Sequence, residues 1–227
     1  MSSEIKANKI SPATGTAFTF GDSGDTFTIP SGVTLTNNGS SSGFDSGLAS
    51  VQIFTSSGTW TKPTGITKVM VEVQGAGAGG NNSQSSSGYG TNGSSGGYVR
   101  KLIDVSSISS ATITIGSKGA GSATRVGNDG GDSVWSDGAN TLTAGGGIAS
   151  NSNYLAGTAG GSATGGDLNI QGGNGANADA GAGVSQFGDG GKTYLYNATG
   201  YGAGGKYQYN GTGGNGSDGI VIVTEYK

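Results

Sequence analysis

Short runs in which every second residue is apolar, separated by clusters of Gly, Ser, Asn and Asp, organise this chain. Phe18 and Phe20, Phe27 and Ile29, and Val33 and Leu35 each place two apolar side chains on one side of an extended segment, the two-residue period of a strand. Gly21-Asp22-Ser23-Gly24-Asp25, Pro30-Ser31-Gly32 and Asn37-Asn38-Gly39 punctuate them, as turn residues do. This spacing predicts a small N-terminal β meander, or one coil of a β-solenoid, over residues 1–40. So small a module is marginal alone, so it is expected to lean on sister subunits or another partner. The Ser/Gly-rich residues 41–50 predict a flexible linker.

Stronger strands open the region 51–227. Val51-Gln52-Ile53-Phe54 is followed by Ser57-Gly58-Thr59-Trp60 and Lys62-Pro63. In Lys68-Val69-Met70-Val71-Glu72-Val73-Gln74, three valines share one face while Lys68, Glu72 and Gln74 lie on the other. Residues 98–105 and 111–115 repeat the alternation, and Ile220-Val221-Ile222-Val223 closes the chain. No apolar 3.6-residue period persists for two turns, so helices are not expected. The pattern predicts an all-β chain: the N-terminal module, then a β-sandwich-like domain whose first and last strands pair. Trp60, Pro63, Val69, Val71, Val73, Ile220 and Ile222 are its expected structural anchors.

Composition changes the reading of what lies between those strands. Of 50 glycines, 41 lie between Gly75 and Gly219. Each loses more backbone freedom on folding than any other residue, and few large side chains are present to offset that cost. If the stretch folds, its backbone must contribute through dense hydrogen bonding and close approach. The spacing is not that of collagen, because Gly157, Gly160, Gly161, Gly165 and Gly166 do not keep every third position. Extended loops or polyproline-II-like strands packed side by side are the expected form, with amides paired between neighbours.

Charge and residue types exclude several functions. The net charge is −3, with 11 basic residues scattered rather than striped, which argues against nucleic-acid binding. No run approaches the roughly 18 apolar residues of a membrane span, so membrane insertion is not expected. The N-terminus carries no apolar signal region, which points to synthesis in a cytoplasm. The chain has no cysteine and no histidine, which removes the commonest strong nucleophile and the commonest general base.

Three groups of residues invite a chemical reading. Residues 213–221 fit the nonapeptide of calcium-binding β-rolls, and residues 127–135 fit it less well. Such sites need tandem copies, so a tight turn entering a strand is expected instead, with no metal and no cofactor. Asp22 with Asp25, and Asp129 with Asp132, could form the carboxylate pair of a glycosidase. Both pairs sit in Gly/Ser turns, where Asp serves local backbone hydrogen bonds, so the chain is not expected to be an enzyme. Tyr194, Tyr196, Tyr201, Tyr207 and Tyr209 fall within 16 residues, mixed with Gly, Asn, Gln and Lys as in antibody paratopes. With Tyr89 and Tyr154, and flanked by Asn/Ser-rich residues 81–92 and 150–154, they are candidate receptor-binding residues. The alternative is that the rings stack over glycine backbone.

The segment Phe54-Thr55-Ser56-Ser57-Gly58-Thr59-Trp60-Thr61-Lys62-Pro63, followed by Val69 to Gly80, resembles the glycine-rich domain near the ends of bacteriophage tail-fibre and related virion proteins. Residues 96–101, 112–116, 143–147, 166–173 and 218–223 agree in order. The first 40 residues resemble N-terminal segments of marine-phage virion proteins. The resemblance implies a virion role, a fibre tip or decoration that meets the host surface, and the tyrosine reading makes the expected partner there a glycan or outer-membrane protein. Assembly with itself, as a homotrimer, is expected as a remedy for the thin core, and attachment to other virion proteins through residues 1–40. The resemblance carries over no catalytic residue. One departure is Gln74, where the resemblance implies a bulky aromatic.

Overall fold

Val69, Val71 and Val73 point to one side of a strand and are fully buried, and the larger domain is built around that row. The computed structural model describes residues 24–26, 28–34, 36, 47–83, 90–123, 126–150, 157–177, 181–192 and 196–227. Two compact units divide the chain, residues 1–44 and residues 45–227. In the first, Val33 N donates to Pro30 O at 3.2 Å, a turn in which Gly32 takes a positive φ of 85°. Ile29 and Val33 are exposed there. Phe18, Phe20, Phe27 and Leu35, which carry most of the predicted meander, lie outside the described residues.

The second unit contains strands β1 (Leu48–Phe54), β2 (Gly58–Thr61), β3 (Lys68–Gln74), β4 (Asn82–Ser83), β5 (Tyr98–Asp104), β6 (Ser110–Thr114) and β7 (Ser133–Ser136). It continues with β8 (Thr141–Ala144), β9 (Ala163–Thr164), β10 (Leu168–Ile170), β11 (Phe187–Asp189), β12 (Thr199–Tyr201), β13 (Gln208–Tyr209) and β14 (Ile220–Tyr226). Among the described residues there is no helix. One sheet has the order β1-β14-β3-β5-β10 and the other β2-β6-β7-β8-β9, both antiparallel throughout. Neither closes into a barrel. The first and last strands of the domain pair as expected, with Ile53 opposite Ile222. β1 begins at Leu48, so three residues assigned by composition to the linker belong to the sheet.

The sheets form a sandwich because each turns one apolar face inward. Val69, Val71, Val73, Val99, Ile103, Val221 and Val223 meet Trp60, Ala111, Ile113, Trp135, Leu142 and Ala144. Each fully buried aliphatic side chain of this kind contributes roughly 1.5–3 kcal/mol. The Trp60 and Trp135 rings lie 5.3 Å apart at 47°. Pro63 is half-buried in a turn where Ile66 N donates to its carbonyl at 3.3 Å. In β14 the inward face is that of Val221 and Val223, not of Ile220 and Ile222. Ile222 sits on the outer face, half-exposed, and Ile220 is buried at that face's end. In an Ile-Val-Ile-Val run both faces are apolar, so alternation alone does not say which turns inward.

Outside the sandwich the glycine-rich segments form a lattice. The amides of residues 75–81 donate in strict rotation to three neighbours. Gly75, Ala78 and Asn81 reach Gly97, Ser94 and Thr91; Ala76 and Gly79 reach Gly131 and Asn128; Gly77 and Gly80 reach Ser217 and Gly214. A partner that recurs every third residue is the signature of a helix with three residues per turn, the polyproline-II period. Residues 92–97 behave likewise, donating in turn to Ala176, Gly205, Ile148, Gly173, Gly202 and Gly145. Their own carbonyls accept from further segments, as Gly183 N to Gly93 O and Gly161 N to Ser95 O. The lattice therefore satisfies its backbone sideways, which such a helix cannot do internally.

That density explains the glycines. A Cβ on Gly77 would lie 1.8 Å from Ala203 O, and one on Gly96 would lie 2.2 Å from Gly75 O. These residues are needed for what they lack rather than for a special backbone angle. Gly202 differs, combining a φ of +75° with packing against the Gln74 side chain.

Candidate functional site

Topology gives the lattice two unlike ends. Segments leave the sandwich from the C-terminal ends of β3, β6, β8 and β10 and return into the N-terminal ends of β5, β7, β9 and β14. The described residues that flank the connections between outgoing and returning segments therefore gather at the end remote from the sandwich. β1 enters the domain at Leu48, opposite Tyr226, at the far end of the sheet from the lattice. One end of the domain receives the chain and the other carries the loops.

Buried amides tie the loop-bearing end together. Asn81, 3% exposed, donates from Nδ2 to Thr91 Oγ1 at 2.6 Å and to Ser150 O at 3.2 Å. Its Oδ1 accepts from Gly127 N at 2.9 Å, and its carbonyl accepts from Gln208 N at 3.0 Å. Asn92, fully buried, donates to Asn177 O at 3.2 Å and accepts from Tyr207 N at 2.9 Å. Asn82 donates to Ala123 O at 2.5 Å. Asn81, Asn92 and Ser150, read from sequence as polar residues flanking a binding surface, are instead interior ties. Their place at the boundary between glycine run and loop is the only signal the sequence offered for this.

The tyrosines part company. Tyr89, Tyr154 and Tyr194 lie outside the described residues, in connections whose flanking residues stand at the loop-bearing end. Tyr207 is half-buried and its ring covers Gly90, where a Cβ would come within 2.2 Å of it. The Lys206 ammonium stands 5.4 Å from the ring centre, a cation–π geometry. Tyr207 thus follows the stacking alternative. Tyr209 is 48% exposed, beside Asn210, whose φ of +49° turns the chain. Tyr196 lines an open groove of about 390 Å³ together with Asn197, Gln208, Thr212 and Asn215. Tyr201 sits away from these, in β12 opposite Phe187, at the sandwich side of the lattice, where Ser185 Oγ donates to its carbonyl.

At that inner boundary Gln74 is completely buried. Its amide donates to Gly96 O at 2.8 Å and Gly97 O at 2.9 Å, and its Oε1 accepts from Gln186 N at 3.3 Å. Where an aromatic was expected, an amide serves carbonyls that the turn from strand to lattice leaves over. Tyr98 beside it donates its hydroxyl to Glu72. Burial, and then the Glu72 carboxylate, hold this phenol well above its ordinary range.

The acidic residues also serve the lattice. Asp129 accepts from Ala149 N at 2.6 Å and Asp132 from Gly146 N at 2.8 Å. Asp218, in the nonapeptide match, accepts from Lys118 N at 2.8 Å. These bonds span distant segments rather than closing local turns. Residues 213–219 form an extended lattice segment, with Gly216 N donating to Gly119 O, in place of the tight turn expected there. Among the described residues no cluster of three acidic side chains could hold a metal ion. Asp22 lies outside the described residues.

No curated protein matches the chain. Residues 53–226 match the family described as a glycine-rich domain, covering both sheets and the lattice between their strands, and the chain belongs to that family.

Proposed function

We propose that the chain is a bacteriophage virion fibre or fibre-tip protein, non-catalytic, whose loop-bearing end attaches to the host surface. One observation carries this reading. The chain enters the domain at one end, while the described residues that flank the connections between lattice segments gather at the other. A rigid lattice with its loops at one pole suits a protein fixed to a particle at its base and read by a cell at its tip. Exposed Tyr209 and groove-lining Tyr196 supply contact area at low entropic cost. The partner on the cell would be a surface glycan or an outer-membrane protein.

The test is adsorption of the purified protein to bacterial cells that the phage infects. Tyr209→Ala is expected to weaken adsorption, while Tyr201→Ala, at the sandwich side, leaves it unchanged. Equal adsorption by wild type and both variants would move the tyrosines out of the attachment role.

A second reading, a capsid decoration, fibre shaft or self-assembling filament without receptor binding, draws on the flank of the sandwich. Leu48, Val51, Ile53 and Leu102 lie exposed on the outer face of one sheet, an apolar surface suited to neighbouring subunits. Assembly as a homotrimer would use this face, and attachment to other virion proteins would run through residues 1–40. Labelling along the shaft or capsid by electron microscopy, with no cell binding, favours that reading.

A further inference from the structure

We infer that the open groove lined by Tyr196, Asn197, Gln208, Thr212 and Asn215 is a binding site for a neutral sugar, a hexose unit of a surface glycan; this rests on reading the loop-bearing end as an attachment surface. The groove measures about 390 Å³, within the roughly 300–1,000 Å³ of small-molecule sites. None of its lining side chains carries a charge at neutral pH. Three are carboxamides, Asn197, Asn215 and Gln208, and one is a hydroxyl, Thr212, all with both donor and acceptor capacity; the Gln208 amide folds over Gly211.

The amides are held in place by one end and open at the other. Asn197 Oδ1 accepts from Asn215 N at 2.8 Å, and Asn215 Oδ1 accepts from Gly121 N at 2.8 Å. Each oxygen is thereby anchored to the lattice. Among the described residues, neither Nδ2 group has a protein partner, and the Gln208 side chain makes no hydrogen bond. Fixed carboxamides with unused donors match the vicinal hydroxyls of a sugar, which both give and accept hydrogen bonds. Tyr196, half-buried, adds an aromatic ring whose negative face suits the weakly positive C–H groups of a pyranose. Gly213 and Gly214 complete the wall, packed so closely against the Gly80 and Tyr196 carbonyls that neither admits a Cβ. An anionic ligand would find no cation among the lining side chains, and a purely apolar one would leave the amides desolvated without partners.

The experiment is an NMR titration of the full chain with methyl β-glucoside, methyl β-galactoside and N-acetylglucosamine, at low and high salt. The expected result is saturable shifts confined to residues 196–197 and 208–215 for at least one sugar, with affinity on the order of millimolar. Because the site is uncharged, salt should not change that affinity. Gln208→Ala is expected to weaken binding about tenfold, and Thr212→Val by a smaller factor, with the remaining spectrum unchanged as the control for folding. No saturable shift with any of the three sugars, shifts elsewhere, or loss of binding in salt would overturn the proposal. Adsorption to cells is measured in parallel. If adsorption persists without sugar binding, the groove assignment fails alone; if both are absent, the attachment reading fails with it.

Discussion

The indole Nε1 of Trp60 donates a 2.7 Å hydrogen bond to the carboxylate of Glu225, 165 residues later in the chain. Both side chains are completely buried. Glu225 occupies the inward row of β14 after Val221 and Val223, where an apolar residue would continue the pattern. Gln52 Nε2 donates to the same oxygen at 2.7 Å and Ser50 Oγ to the other. Burying a carboxylate is costly unless its acceptor sites are filled, and three donors from β1 and β2 fill them. The network joins the two sheets at the end away from the lattice.

Trp60→Phe keeps a ring in the core and removes one donor. It is expected to lower the unfolding free energy by roughly 1–3 kcal/mol, the usual cost of leaving a buried acceptor short. Urea denaturation measures this, and a double-mutant cycle with Glu225→Gln separates the bond from ring packing. Additive losses in the cycle would show that the two residues are not coupled.

The lattice predicts a sharp contrast between glycines. Gly77→Ala places a methyl group 1.8 Å from Ala203 O, against backbone that cannot move alone. A loss of at least about 3 kcal/mol, or no folding, is expected. Gly58→Ala meets nothing within 4 Å and should be neutral, or stabilising by up to about 1 kcal/mol through the unfolded chain. Thermal denaturation of the pair decides; equal melting temperatures would sink the close-packing account.

Gln74→Glu tests the amide at the turn into the lattice. The new carboxylate would face the Gly96 and Gly97 carbonyl oxygens, so the folded state would favour its protonated form. Its folded pKa would then lie above the unfolded value of about 4.3. The sign follows: relative to wild type, the variant should be most stable below that pH and lose stability as pH rises through the folded pKa. A pH-independent difference from wild type would contradict the hydrogen-bond assignment.

Asp137 carries the opposite dependence. Burial pushes its carboxyl up, but the Asn140 N (2.6 Å), Trp135 Nε1 (3.1 Å) and Ala139 N (2.9 Å) donors outweigh it, and its pKa is lowered. Its contribution is therefore present above the unfolded pKa of about 3.9 and fades as pH falls through the folded value. Asp137→Asn should lose stability at pH 7 and converge on wild type in acid. Unfolding midpoints across that range read it directly.

Asn92→Ala removes a tie beneath the loops without touching the sandwich. Amides around residues 176–177 and 207 should exchange with solvent faster, while those of β3 and β14 keep their protection. Uniform loss of protection would mean that the lattice and sandwich unfold as one unit.

Much of the framework was legible before any fold was known. Alternation in Lys68–Gln74 located the central strand and its inward face, and the apolar run at Ile220–Val223 located its partner. The glycine count, read with the few large side chains, required a backbone that bonds sideways. The site was less legible. Five tyrosines within 16 residues read as one cluster, yet Tyr201 and Tyr207 point to different ends of the lattice, since a segment of extended chain carries residues apart faster than sequence distance suggests.

By itself the sequence determined an all-β chain, the positions of its longer strands and the need for extended glycine-rich segments, because these follow from local periodicity and backbone hydrogen bonding. Only the tertiary structure decided which glycines admit no Cβ, which face of β14 turns inward, and that Gln74, Asn92 and Glu225 are interior. Those properties depend on neighbours that are distant in sequence, from Gly96 for Gln74 to Ser50 for Glu225, and a polar side chain carries no local sign of whether its partners will meet it inside.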